Sequence, residues 1–120
     1  MSATRKKAAP PAAEADLGYA RLDLDRQRRR GLPEVVYGAG KTASQLAAIL
    51  ARLNAAGQNA FATRVTPEQA GAVRATLPAA CYDPLSRTLR SDIAPLPRPR
   101  RKVAVLCAGT ADVPVAEEAA

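Results

Sequence analysis

The sequence predicts an α/β chain, with a small N-terminal domain built from a repeated strand-then-helix unit and then the first strand, loop and helix start of a second α/β domain. Three observations carry this. Two capping-box helix starts recur at an offset of 24 residues, Thr42 with Thr66. A Pro/Arg-rich spacer separates that region from a continuous apolar run near the C-terminus. Apolar residues make up 48%, yet there are only one Phe and three Tyr, so the core must be thin and aliphatic. A chain of 120 residues suits one small domain and buries a modest fraction of its surface.

Residues 1–15 are rich in Ala and Pro without periodicity and are expected to form a disordered tail, with order beginning near Asp16. Residues 16–94 form the predicted N-terminal α/β domain. Its first part carries scattered apolar residues at Leu17, Tyr19, Ala20, Leu22 and Leu24. Asp25-Arg26-Gln27-Arg28-Arg29-Arg30-Gly31 then reads as a short helical turn stopped by glycine. Pro33-Glu34-Val35-Val36-Tyr37 reads as a strand, because β-branched and aromatic residues follow a proline at its start.

Thr42-Ala43-Ser44-Gln45 is a capping-box pattern: the hydroxyl accepts from the N3 amide while the glutamine reaches back to the N-cap. Leu46, Ile49, Leu50 and Leu53 keep one helical stripe until Gly57. Asn59 to Val65 reads as a second strand. Thr66-Pro67-Glu68-Gln69 repeats the capping pattern with proline at the first helical position, and Ala70, Val73 and Leu77 form a stripe ended by Pro78. Tyr37 aligns with Phe61, Gln45 with Gln69, Ile49 with Val73 and Leu53 with Leu77. Right-handed crossovers in such a βαβα core would put both helices on one face of a shared sheet. Asp83-Pro84 between two β-prone runs, Ala80-Cys81-Tyr82 and Arg87-Thr88-Leu89, predicts a hairpin that finishes the domain.

Residues 95–102, with three prolines and four basic side chains, are an extended linker and a domain boundary. Residues 103–120 follow. Val103-Ala104-Val105-Leu106-Cys107 resembles a strand buried on both faces of a parallel sheet, Ala108-Gly109-Thr110-Ala111-Asp112 a loop, and the remainder a helix start capped by Asp112. In such a loop glycine lets backbone approach a phosphate at a helix N-terminus, although an ordinary βα turn has the same form. A buried-type strand needs neighbours, so either this segment opens a domain cut short at Ala120 or it joins the first domain's sheet as an extra strand.

The composition narrows the chemistry. With no histidine there is no Ser-His or Cys-His pair, and two cysteines cannot close a four-thiolate zinc site. No apolar run approaches the ~20 residues of a membrane span, and the N-terminus lacks a signal peptide's hydrophobic core; a cytoplasmic protein with free thiols is expected. Lys and Arg total 18 against 11 Asp and Glu, a net charge of +7. The basic residues gather at positions 5–7, at Arg26, Arg28, Arg29 and Arg30, and at positions 98–102, the first and last of these in Pro/Ala-rich sequence. A small basic nucleic-acid-binding or interaction module is therefore an alternative reading. It is disfavoured by the scarcity of aromatic residues for base stacking and by the lack of a helix-turn-helix or RNA-binding signature.

Residues 21–26 (RLDLDR), 30–38 (RGLPEVVYG), Gly40-Lys41-Thr42, Thr63-Arg64-Val65 and residues 107–119 (CAGTADVPVAEEA) together resemble the LarB family. This is the carboxylase/hydrolase family of nickel-pincer cofactor biosynthesis, also described as phosphoribosylaminoimidazole carboxylase-like. The resemblance runs from about Asp16 to the last residue. It implies an N-terminal domain followed by a truncated flavodoxin-like, carboxylase-type domain whose first strand and loop are residues 103–112. The implied reaction carboxylates the pyridinium ring of nicotinic acid adenine dinucleotide with CO2 or bicarbonate and cleaves the dinucleotide to a biscarboxylate mononucleotide and AMP. Gly109, Thr110, Ala111 and Asp112 match the family's substrate loop and would contact the ribose-phosphate side of the substrate; Ala111 stands where a hydroxyl residue is usual. Arg26, Arg30 and Glu34 are candidates for a substrate or subunit contact. The implied catalytic thiol and carboxylate lie later than this sequence, so no catalytic residue is assigned and the chain alone is expected to be inactive. Cys107 is expected to be a buried packing residue. The resemblance implies no cofactor held by these residues, Mg2+ as an accessory ion, a homo-oligomer for the full-length protein, and neither membrane nor nucleic acid as partner.

Overall fold

A computed structural model describes residues 13–120. The tail expected over 1–15 lies largely outside the described residues, but Glu14 is already in a strand, so order begins before Asp16. Two short strands, β1 (Glu14–Asp16) and β2 (Arg21–Asp23), pair antiparallel. The sequence reading did not separate them, because three-residue strands are too short for alternation to show. Their inward pair, Ala15 opposite Leu22, packs on the core, where Leu22 is buried. The arginine-rich turn is helix α1 (Arg26–Arg30), ended at Gly31 as expected.

The repeat is present in three dimensions. β3 (Val35–Tyr37) leads to α2 (Ala43–Ala55), and β4 (Ala60–Thr63) leads to α3 (Pro67–Thr76). Both helix starts carry the predicted capping box: the Thr42 and Thr66 hydroxyls accept from the Gln45 and Gln69 amides at 3.1 and 3.2 Å, and each glutamine Oε1 accepts from its threonine amide. β3 and β4 are parallel neighbours, but Tyr37 lies beside Thr63, two residues beyond its repeat counterpart Phe61. A shift of two keeps every side chain on its own face, so the offset in sequence and the register in space are compatible.

The predicted hairpin is β5 (Cys81–Asp83) with β6 (Thr88–Ser91), and β6 also pairs antiparallel with β4. The sheet order is β3-β4-β6-β5. The row Val36, Ala62, Leu89 and Tyr82 runs along one face of it. There α2 and α3 pack together, with Leu46, Ile49, Leu50, Leu53, Ala70 and Val73 buried. The core is aliphatic, as the composition required, with Tyr82 half-buried at its margin. Each buried Leu or Ile removed from water contributes about 1.5–3 kcal/mol. The opposite face carries Val35, Phe61, Arg90 and Cys81 in one row and is partly exposed. At the far end of the sheet, the buried Asn59 carboxamide accepts from the Ile93 and Ala94 amides at 2.8 and 3.0 Å and clamps the chain leaving β6.

Three expectations for the C-terminal region are corrected. Val103 to Cys107 forms no strand, either by itself or in the four-stranded sheet, and Val103 and Leu106 are 88% and 89% exposed. An apolar run becomes a strand only when a neighbour accepts its ladder, and among the described residues nothing pairs with it. Cys107 is consequently exposed and free, not a packing residue. A 3-10 turn at Thr110–Asp112 leads into α4 (Val113–Ala119), but the Asp112 side chain makes no capping hydrogen bond. No helix among the described residues is long and apolar enough to cross a membrane.

Candidate functional site

The carboxyl ends of β3 and β4 and the N-termini of α2 and α3 meet around a cleft of about 630 Å³. Open α/β sheets bind ligands outside the carboxyl ends of their parallel strands, because loops diverge there and helix N-termini point inward. The loop Gly38-Ala39-Gly40-Lys41 turns the chain from β3 into α2. Gly38 comes so close to β4 that an added Cβ would lie 2.8 Å from the Thr63 carbonyl oxygen, and Gly40 has φ +77. Its conformation is held from the neighbouring unit: the buried Gln69 donates through Nε2 to Gly38 O at 2.9 Å and to Lys41 O at 2.8 Å. Gln45, its counterpart in the first unit, serves its own helix cap.

Three cations from three loops line this cleft: Lys41, Arg64 and Arg87. Lys41 Nζ donates back to the Tyr37 carbonyl at 2.5 Å. Arg64 and Arg87 are the non-glycine residues with positive φ among the described residues, at 53 and 55. That conformation is uncommon for a long side chain. Their two segments are tied together, since the Val65 amide donates to the Arg87 carbonyl at 2.8 Å. The turn before Arg87 is set by Asp83, whose carboxylate accepts from Ser86 Oγ at 2.7 Å and from the Leu85 and Ser86 amides. The Ser86 hydroxyl, followed by the Leu85 amide, holds the Asp83 carboxyl below the usual aspartate range. Gly40-Lys41-Thr42 is visible in the sequence as a glycine-lysine pair before a helix, whereas nothing local marks Arg64 or Arg87 as its partners.

The arginine-rich segment has a different character. Arg28 grips Asp25 through Nε at 2.7 Å and Nη2 at 3.1 Å, and Arg29 pairs with Asp23 and, at 3.5 Å, with Asp25. The Arg28 hydrogen bond lowers the Asp25 pKa. Arg26 lies 3.8 Å from Glu34 Oε2, an atom that is buried without a hydrogen bond. Burial pushes the Glu34 carboxyl up, with the Arg26 charge opposing it. Of the residues singled out here, the fold therefore brings Arg26 and Glu34 together, while Arg30 is exposed on α1 and takes part in no ion pair among the described residues. A larger cleft of about 1130 Å³ lies between Leu24–Arg28 and the C-terminal end of α2; alanines form much of its wall, and of its two cations, Arg28 and Arg52, Arg28 is already held by Asp25.

Gly109, Thr110, Ala111 and Asp112 are all exposed in the turn before α4. That region reaches the N-terminal domain through Glu118, whose Oε2 lies 3.0 Å from Arg64 Nε. The fold thus links the α4 end to the cleft and leaves the Gly109 loop open. Among the described residues no three Cys, Asp or Glu side chains converge as an all-protein metal site would require.

No curated protein matches the sequence. A family described as the LarB/PurE-like N-terminal domain matches residues 14–92, the span from β1 through β6. The match covers well over half of the chain, which therefore belongs to the LarB/PurE-like family through its N-terminal domain.

Proposed function

We propose that this chain serves the carboxylation and hydrolysis of nicotinic acid adenine dinucleotide in nickel-pincer cofactor biosynthesis, as the N-terminal part of that machinery. The observation that supports this reading is the family match over residues 14–92. The second support is the sequence of residues 107–119, which resembles the carboxylase substrate loop. Gly109, Thr110, Ala111 and Asp112 would face the ribose-phosphate side of the dinucleotide, with backbone amides as donors. Ala111 contributes no hydroxyl, so Thr110 is the side-chain donor of the loop. The exposed position of these residues leaves them accessible to a substrate held by a further domain.

The catalytic thiol and carboxylate implied by the resemblance fall outside these residues, and the protein's partners in this reading are the dinucleotide and further copies of a full-length chain. Incubation of the purified 120-residue chain with nicotinic acid adenine dinucleotide and bicarbonate is expected to release no AMP. The same chain joined in frame to a family carboxylase domain is expected to release it. A fused protein that folds yet gives neither AMP nor a carboxylated mononucleotide would sink the reading.

A further inference from the structure

We infer that the cleft between the α2 and α3 N-termini is a phosphate-binding site of the N-terminal domain, separate from the Gly109 loop, in which Lys41, Arg64 and Arg87 take the phosphate oxygens. Three independent features converge on it. Cations from three different loops line one cleft of about 630 Å³. The strand-loop-helix sequence Gly38-Ala39-Gly40-Lys41-Thr42 has the parts by which such loops cradle phosphate: glycines for close backbone approach, a lysine at the helix start and first-turn amides with no intrahelical acceptor. An oxyanion already sits on one of the cations, because the Glu118 carboxylate of α4 lies 3.0 Å from Arg64 Nε.

The loop is shorter than a full P-loop, whose first glycine lies six residues before its lysine. Gly38 precedes Lys41 by too little for the backbone to wrap a phosphate by itself. Two arginines from neighbouring loops supply the missing donors, and guanidinium forks suit phosphate oxygens. Thr42 is committed to the helix cap through Gln45, so it is not the metal-binding hydroxyl of a nucleotide triphosphatase. Glu68 is the carboxylate on the cleft wall, and it is exposed. Lys41, folded onto the Tyr37 carbonyl, would swing to the ligand when it enters.

The inference does not rest on the dinucleotide reading, because inorganic pyrophosphate is the probe and AMP release is read in a separate assay. Backbone amide NMR of the 120-residue chain is titrated with pyrophosphate at fixed ionic strength, with chloride as the control. Saturable shifts are expected at Gly40, Thr42, Arg64 and Arg87. Lys41→Gln and Arg87→Asn should each weaken binding about tenfold, the worth of a charge-assisted hydrogen bond. Asparagine tolerates positive φ, so Arg87→Asn keeps the turn and separates ligand loss from misfolding. Arg30→Gln should leave binding unchanged. Shifts that fail to saturate, that match those of chloride, or that persist in the folded Arg87→Asn and Lys41→Gln proteins would overturn the inference. Shifts centred on residues 26–30 would overturn it equally.

Discussion

The basic segment at Arg26–Arg30 and the cleft lined by Lys41, Arg64 and Arg87 are two concentrations of positive charge built in opposite ways. The first is dense in sequence and largely answered in space: Arg26, Arg28 and Arg29 face Glu34, Asp25 and Asp23. The second is scattered in sequence and gathered by the fold, with the Glu118 pair on Arg64 as its one described ion pair. A run of like charges along a chain says little about the field it creates, because acidic neighbours three to eight residues away can fold back on it. Charges brought together by tertiary structure at the open end of a sheet are not cancelled in this way. The comparison also removes much of the support for the nucleic-acid alternative, which leaned on the arginine run.

The strongest way to break the comparison is to release the loop that shapes the cleft. Gln69→Ala removes two hydrogen bonds to the Gly38 and Lys41 carbonyls and one capping box, and is expected to cost about 2–3 kcal/mol in urea unfolding. Gln45→Ala, which loses only a cap, should cost about 1 kcal/mol or less. Equal losses would show that the brace across the repeat carries no extra stability. A smaller effect sharpens the cleft itself: Glu118→Gln frees Arg64 from a partly exposed pair. Pyrophosphate binding should tighten by up to about fivefold while stability falls by no more than about 1 kcal/mol. In the arginine-rich segment, Asp25→Asn unmasks Arg28, while Arg29 keeps its pair with Asp23. Salt-dependent retention on a polyanion such as heparin should rise, with pyrophosphate shifts in the cleft unaltered.

The smallest effects are in acid. Asp25 and Asp83 have lowered pKa values in the folded chain, so the folded state binds fewer protons than the unfolded one just below the ordinary aspartate value of about 3.9. Their contribution is complete above that value and is lost as the pH falls through the depressed ones. Glu34 runs the other way, because its raised pKa favours the folded state below the ordinary glutamate value of about 4.3 and ceases to do so as the pH rises through the raised one. Urea midpoints of Glu34→Gln and the parent, compared at pH 4 and pH 7, should show the variant gaining relative to the parent at the higher pH. A constant difference would mean that the carboxylate is better solvated than its orphaned Oε2 indicates.

Much of the first domain was legible residue by residue. Both capping boxes, the stripe at Leu46, Ile49, Leu50 and Leu53, the glycine stop after α1 and the turn at Asp83 are contained in windows of a few residues, and each appears as read. The β1–β2 hairpin was missed because three residues show no period. Apolarity alone marks Val103 to Cys107 as a strand, but pairing decides it, and no ladder forms there among the described residues. For the site, Gly40-Lys41-Thr42 was in view, but the partners of Lys41 were not.

By itself the chain's sequence determined where helices begin and end, which of their faces are apolar, and the family to which the domain belongs. These follow from bonds and contacts between residues close together along the chain, and from a pattern of types that needs no coordinates. Tertiary structure alone decided that Gln69 braces a loop about thirty residues earlier, that Arg64 and Arg87 join Lys41 while three arginines of α1 meet carboxylates, and that residues 103–107 find no ladder. Those outcomes depend on the β3–β4–β6 register and on two left-handed turns, and strand pairing is a contact between distant segments that no local window contains.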